Sequence, residues 1–237
     1  MEYLIKVMDL YIKIKCQYSL LYSRIAKYIV NNQIDKYDFE ITYSDEVLNK
    51  TLKQNPHLSI EEVEYIGTSI IFYRNILNYD AMLIHSSAVC VDNKAYCFSA
   101  DSGTGKSTHT KLYLKNFPNS YIINDDKPAY RLINNQVFVY GTPWSGKDDL
   151  SENIKVPLQA LCFLKRAKNN SIKKLDNKEA IKNIMNQTLR IHKESFLDKL
   201  LVLIDKIVSF YPIYELSCNM EDEACKVSYQ TMKGESL

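Results

Sequence analysis

An α/β fold with a small α+β region ahead of it is what the sequence predicts, on three observations. First, a strand-like apolar run over residues 94–99 leads into a glycine-containing loop and then into a helix-like stretch over 106–116, the order of an α/β unit. Second, residues 81–237 alternate further short apolar runs with amphipathic stretches, an order that residues 1–80 lack. Third, 237 residues with 46% hydrophobic and 24% charged side chains suffice for a sizeable core, so one domain with an appendage, or two small domains, is expected. The division is placed at residue 80: a small α+β N-terminal region over 1–80 and a larger domain over 81–237.

Taken in order, residues 3–15 place Ile5, Val7, Leu10, Ile12 and Ile14 at alternate positions within each half, and Tyr37, Phe39, Ile41 and Tyr43 repeat the alternation; both read as half-buried strands. Ser59 followed by Glu62 is a capping box. It opens a helix carrying Val63, Ile66, Ile70, Tyr73 and Leu77 at spacings of three and four, to about residue 79. Apolar strands over 81–91 and 94–99 are joined by the hairpin turn Asp92-Asn93. After the helix over 106–116 come a short buried strand over 121–123, strands over 129–133 and 136–140 about an Asn134-Asn135 turn, and a buried strand over 158–164. Amphipathic helices over 178–189 and 194–210, a strand over 213–218 and a helix over 221–232 complete the pattern.

A net charge of +2 supplies no field to draw a polyanion, so nucleic acid is not an expected partner. Of 30 basic side chains only five are Arg, and Arg131 and Arg190 are the ones placed to bind an anion. The first 16 residues interrupt their apolar positions with Glu2, Lys6, Asp9, Lys13 and Lys15, unlike a secretion signal, and no apolar run approaches the roughly 20 residues of a membrane span. A cytoplasmic protein is expected. Six cysteines without a CxxC pair read as buried, reduced thiols.

The chemistry is carried by residues 100–107, Ala-Asp-Ser-Gly-Thr-Gly-Lys-Ser, which fit the phosphate-loop pattern G-x-x-x-x-G-K-[ST] with Ala in the first place. A helix that starts there presents free amides and the positive end of its dipole to phosphate. Gly103 and Gly105 permit the backbone to wrap phosphate oxygens, Lys106 places a point charge on the β- and γ-phosphates, and Ser107 offers a hydroxyl to Mg²⁺. Asp101, Ser102, Gly103, Thr104, Gly105, Lys106, Ser107 and Thr108 form the expected ATP-binding set. Asp125 and Asp126, 19 and 20 residues after Lys106 at the end of the next strand, supply a carboxylate for Mg²⁺ and one to accept a proton from an attacking hydroxyl. Asp125 is the expected metal ligand with Ser107, while the division of roles within the pair stays open.

His85, the hairpin, residues 102–108 (Ser-Gly-Thr-Gly-Lys-Ser-Thr) and residues 124–127 (Asn-Asp-Asp-Lys) together resemble the catalytic domain of HPr kinase/phosphorylase. More distantly they resemble ATP-dependent phosphoenolpyruvate carboxykinase. The specific motifs span about residues 83–131, and the chain looks like the bacterial HPr-kinase-like subgroup, some of it similar to kinases of peptide-modification clusters. The resemblance implies a mixed-sheet P-loop kinase core, with His85 near the γ-phosphate, Lys106 and Ser107 as the loop pair, and Asp125 and Asp126 as metal-binding and general-base carboxylates. Without the resemblance, His85 inside an apolar strand reads as a hydrogen-bonded core histidine. The arginine- and glycine-rich segment that supports phosphorolysis in that family has no counterpart, so the reverse reaction and HPr itself are not implied.

Residues 141–147, Gly-Thr-Pro-Trp-Ser-Gly-Lys, hold the only Trp. They read either as a loop closing over nucleotide or acceptor, with Lys147 neutralising the transferred phosphoryl group, or as a turn with a packed Trp. Arg131 is expected to reach the phosphates or to pair with Asp126. His109 is expected at the surface or at an adenine edge, and Asn153 beside the Trp loop; His57 and His192 carry no signal. The expected activity is ATP- and Mg²⁺-dependent transfer of the γ-phosphoryl group to a hydroxyl, on Ser or Thr of a peptide or protein or on a small molecule such as serine. The alternatives are an ATP-gated peptide-binding module and a carboxykinase-like lyase. The acceptor and the oligomeric state, homo-oligomer included, stay open.

Overall fold

The computed structural model describes residues 1–31, 36–101, 103–189 and 194–234. Ser102, Arg190 and His192, singled out above, lie outside them. The fold is mixed α/β, with a three-stranded and a nine-stranded sheet and seven α-helices among the described residues.

In the N-terminal region β1 (Glu2–Val7) and β2 (Leu10–Lys15) form an antiparallel hairpin, and β3 (Phe39–Ile41) adds parallel to β2. The alternation of residues 3–15 is thus broken by a turn in which Met8 and Asp9 adopt φ of 59° and 62°. Pairing covers less of 37–43 than the alternation suggests: Asp38 donates its amide to Tyr11 O (2.7 Å) but takes the Tyr11 amide on its side chain, and Tyr43 turns its hydroxyl to Thr51. Helices α1 (Ser19–Ile25) and α2 (Asp45–Gln54) were not expected, although Ser44 caps α2 ahead of Asp45 and Glu46. The helix α3 (Ile60–Asn75) opens on the capping box of Ser59 and Glu62 and ends in a 3₁₀ turn, Ile76–Tyr79.

The run over 81–91 is not one strand. It splits into β4 (Ala81–Leu83), antiparallel to β8 (Ala129–Ile133), and β5 (Ser87–Val91), antiparallel to β6 (Lys94–Ser99). His85 lies in the break, where its amide donates to Gln187 O (2.7 Å) and the Ser86 amide to Asp126 O (3.1 Å) in place of ladder bonds. The turn residues Asp92 and Asn93 have φ of 50° and 59°, and Asn134 and Asn135 between β8 and β9 (Gln136–Tyr140) have 50° and 62°, the left-handed values that two-residue hairpins need. Helix α4 (Lys106–Asn116) and strand β7 (Tyr121–Asn124) follow the glycine loop. The strand β10 (Lys155–Arg166) is the spine: its start pairs antiparallel with β9, and its remainder pairs parallel with β6 and with β12 (Ile213–Cys218). A short exposed strand, β11 (Ser171–Lys174), covers the outer side of β12.

Because β5, β6 and the second half of β10 are covered on both faces, their sequences read as near-continuous apolar runs rather than alternating ones, whereas β12 keeps Glu215 and Ser217 among its apolar residues. Ala88, Cys97, Leu161 and Ile213 pack with Ala180 and Ile184 of α5 (Asn177–Asn186) and with Leu200, Ile204 and Ile207 of α6 (Glu194–Phe210). Val89, Phe98, Cys162 and Leu216 face α4 and α7 (Asp222–Lys233) through Tyr113, Cys225 and Met232. A third cluster joins β1, β2, α1 and α3 to Ala129, Tyr140 and Trp144, so the N-terminal region packs on the β8–β9 end of the large sheet. All six cysteines are free, and all but Cys218 are buried. Among the described residues no helix is long and apolar enough to cross a membrane.

Candidate functional site

Strand direction brings the chemistry together. Both β6 and β7 are antiparallel to β5, so their C-terminal ends, the start of β5, and hence the glycine loop, Asp125-Asp126 and His85, meet at one sheet edge. Gly103 and Gly105 adopt φ of 78° and 120°, a region other residues avoid, and Gly105 precedes the first turn of α4. The first intrahelical bond runs from His109 N to Gly105 O (2.9 Å), which leaves the amides of Lys106, Ser107 and Thr108 without an intrahelical partner.

A cleft of about 580 Å³ opens at this edge, lined by His85, Gly103, Gly105, Lys106, Ser107, Thr108, Asp125, Asp126, Gly146, Lys147 and Asp148. It therefore gathers His85, both aspartates, Lys106, Lys147, Ser107 and most of the loop. Asp101 turns away, accepting from Gln187 Nε2 (3.2 Å), and Thr104 faces the opposite side of the loop. Lys106 donates to Ala100 O (3.0 Å); burial lowers its proton affinity against the opposing pull of Asp126 and Asp101.

The acidic turn is shaped by buried Asn124, whose Oδ1 accepts from the amides of Asp126 (2.9 Å) and Lys127 (2.6 Å) and whose Nδ2 donates to Thr142 O (3.1 Å). The two carboxylates then meet different surroundings. Burial pushes the Asp125 carboxyl up from its ordinary range, opposed by the Gly146 amide, which donates to Oδ1 at 2.5 Å; Oδ2 makes no hydrogen bond to the described residues. Burial would also raise Asp126, but its hydrogen bond with His85 Nε2 (2.7 Å) and the ammonium of Lys127 outweigh that and hold it well below the carboxylate range. His85 is fixed on its other side by Gln187 Oε1 (3.2 Å from Nδ1).

Residues 141–147 form a turn around a packed Trp. Trp144 is fully buried, stacked on Phe72 (4.5 Å between centroids) with Nε1 donating to Thr68, so it anchors the loop and covers no ligand. Lys147, three residues on, is exposed at the cleft. Arg131 neither reaches the phosphate side nor pairs with Asp126: its guanidinium donates to Tyr79 O and Met8 O, carbonyls that the N-terminal region leaves unpaired. Asn153 likewise donates to Lys6 O rather than to the Trp loop. His109 is not at the surface. It is 3% exposed, packed edge-on to Phe98 with Nε2 against Ser228 Oγ (3.2 Å), and burial pushes it down to about 4.

On the far side of the loop lies a second cavity, about 330 Å³, whose walls include Thr104, Thr108, His109, Leu112, Leu164 and Met220. Arg166, at the end of β10, closes it against the loop by donating to the carbonyls of Thr104 and Gly103. Sequence reasoning missed Arg166, Gln187, Gly146 and Arg24. Gly146 adjoins Lys147 in the segment already singled out, while the side-chain hydrogen-bond partners of the other three lie 62 or more positions away in the chain.

No family model matches the chain, and no curated protein does. Among solved structures it is similar to the Hpr(Ser) kinase/phosphatase from Coxiella burnetii, at 15% identity over 51% of this chain and 86% of that one, with a TM-score of 0.28. So slight a likeness adds nothing to the geometry.

Proposed function

We propose that the chain is an HPr-kinase-like phosphotransferase with a P-loop core, binding ATP and Mg²⁺ and transferring the γ-phosphoryl group to a hydroxyl of a peptide, protein or small molecule. One observation carries the reading: Lys106 and Ser107 at the head of α4 share a single cleft with Asp125, Asp126, His85 and Lys147. The amides of Gly105 to Thr108 and the Lys106 ammonium receive the β- and γ-phosphates. The apolar cavity behind Thr104 takes the nucleoside.

The donors suit magnesium. Among the described residues no three His, Cys, Asp or Glu side chains form a cage, and Mg²⁺ binds through one or two carboxylates, a hydroxyl and substrate phosphates rather than through a cage. Ser107 and Asp125 would hold it. A cation beside the open Oδ2 would offset the burial that raises Asp125, and bound there it would neutralise charge on the transferred group. Asp126, oriented by His85 and Lys127, positions the acceptor hydroxyl. The new oxygen–phosphorus bond forms as the γ-phosphorus leaves the β–γ bridging oxygen, ADP departs, and the hydroxyl proton passes to Asp126. The transition state is loose, so positioning matters more than base strength and a weakly basic carboxylate suffices. Lys147 faces the equatorial oxygens.

The test is labelled ATP and Mg²⁺ offered to hydroxyl-bearing peptides and to free serine, with Asp126→Asn alongside. Transfer is expected to vanish in the variant while nucleotide binding persists; undiminished turnover removes Asp126 from the chemistry. Tight ATP binding with no ADP formed against any acceptor would replace the kinase by an ATP-gated binding module.

A further inference from the structure

We propose that Arg24, in the N-terminal region, is a positioning residue that sets Asp125 for metal binding by holding the backbone of Gly146. The inference rests on the reading of the cleft given above and extends it to a part of the chain that touches no substrate.

The chain of contacts starts in α3. Glu64, fully buried, accepts from the amides of Gln17 (2.6 Å) and Tyr18 (3.1 Å), and so fixes the chain where it enters α1. From the last turn of α1, Arg24 reaches out of the N-terminal region. Its Nη1 donates to Ser145 Oγ (2.9 Å) and Gly146 O (3.1 Å) and pairs with Asp149 (2.5 Å), and the guanidinium lies over the Tyr65 ring. Tyr65, next to Glu64 on α3, donates to Ser145 O (2.9 Å). On the other side of the same peptide, Gly146 N donates to Asp125 Oδ1 at 2.5 Å. Fixing the carbonyl side of Gly146 from α1 therefore limits where its amide, and the carboxylate it holds, can go.

Two features make this more than a surface ion pair. The Arg24 side chain is 12% exposed, so its bonds are made largely out of water, where a guanidinium serving several acceptors has no cheap alternative. The fit is also tight: a Cβ on Gly146 would stand 2.8 Å from Asp125 Oδ2, so the loop cannot shift toward the carboxylate without a clash. Without Arg24 the loop retains Trp144 and Tyr65 as anchors but loses the bonds to Ser145 Oγ and Gly146 O and the pairing with Asp149, which hold the carbonyl side of Gly146. The variant is expected to keep its fold and lose placement.

The experiment uses the whole chain with Arg24→Ala, and with Arg24→Gln should the first variant melt early. Exchange of the Gly146 amide is followed by NMR, ATP affinity is measured with and without Mg²⁺, and kcat and KM are measured where an acceptor is turned over. Expected are Gly146 exchange about tenfold faster or more, loss of most of the Mg²⁺-dependent gain in ATP affinity with metal-free ATP binding within about twofold, and kcat lower by about ten- to a hundredfold. A merely structural role for Arg24 would lower the melting temperature and leave the Mg²⁺-dependent gain and kcat intact. Unchanged Gly146 exchange overturns the proposal even if the protein is a kinase. Absence of nucleotide binding by the unaltered chain overturns the functional reading instead, and the exchange measurement still decides whether Arg24 holds the loop.

Discussion

The glycine loop separates two cavities of contrasting chemistry. On one side the cleft of about 580 Å³ carries Lys106, Lys147, His85, Asp125, Asp126 and Asp148; on the other the pocket of about 330 Å³ is walled by Leu112, Leu164, Cys218 and Met220, with one cation among the described residues, Arg166, already bonded to loop carbonyls. A ligand that straddled Gly105 and Thr108, which line both, would put its charge on one side and its apolar body on the other. Binding in the cleft is then electrostatic and sensitive to salt, and binding in the pocket follows buried area.

The largest expected effect falls on the charged side. Lys106→Ala removes the ammonium that the loop presents while leaving the glycines in place, and phosphoryl transfer should fall by about 10²–10³-fold. Steady-state rates at saturating ATP check it, and a loss below about threefold would show that the cleft is not where the transferred charge is stabilised.

A smaller effect, expressed in stability, belongs to the pocket wall. His109 is neutral in the fold because burial pushes it down to about 4, against about 6.5 in an unfolded chain. Above pH 6.5 both states are neutral and the histidine costs nothing. As the pH falls from about 6.5 to about 4 the unfolded chain binds the proton first, so stability drops by up to about 3 kcal/mol and then levels off. Urea midpoints of wild type and His109→Gln across that window should differ in slope. A slope shared by the two would mean that the ring is not held neutral.

Gly146→Ala comes next. The new methyl group, 2.8 Å from Asp125 Oδ2, must displace either the carboxylate or the loop, and transfer should drop by about tenfold with the melting temperature nearly unchanged. A fall in stability without a fall in rate would place the strain elsewhere than at the Asp125 carboxylate.

What the sequence disclosed tracks how local the physics is. Gly103 and Gly105, Asp92-Asn93 and Asn134-Asn135 act through their own φ values, so each turn could be read where it stands. The break at 84–86 did leave a mark, the polar His85-Ser86-Ser87 within an otherwise apolar run, but its cause lies elsewhere: what holds the chain there is Gln187 and Asp126, distant in sequence. Arg131 misled for the same reason. Its charge suggested phosphate, whereas backbone carbonyls of Met8 and Tyr79 across the sheet use it up. Arg24 in a short helix gave no signal at all, since its hydrogen bonds go to residues more than a hundred positions away.

The mildest change should separate the two cavities most cleanly. Met220 is 75% exposed at the rim of the pocket, so Met220→Ala removes apolar surface there without opening a core cavity. Loss of a thioether at a half-open rim corresponds to about threefold in binding, less than a fully enclosed methylene group would give. The pocket assignment requires that loss to appear in KM for ATP, with kcat unchanged and inhibition by inorganic tripolyphosphate, which fills only the charged cleft, also unchanged. If tripolyphosphate weakens in parallel with ATP, the two cavities are not chemically separate, and the nucleoside must be sought on the cleft side of the loop.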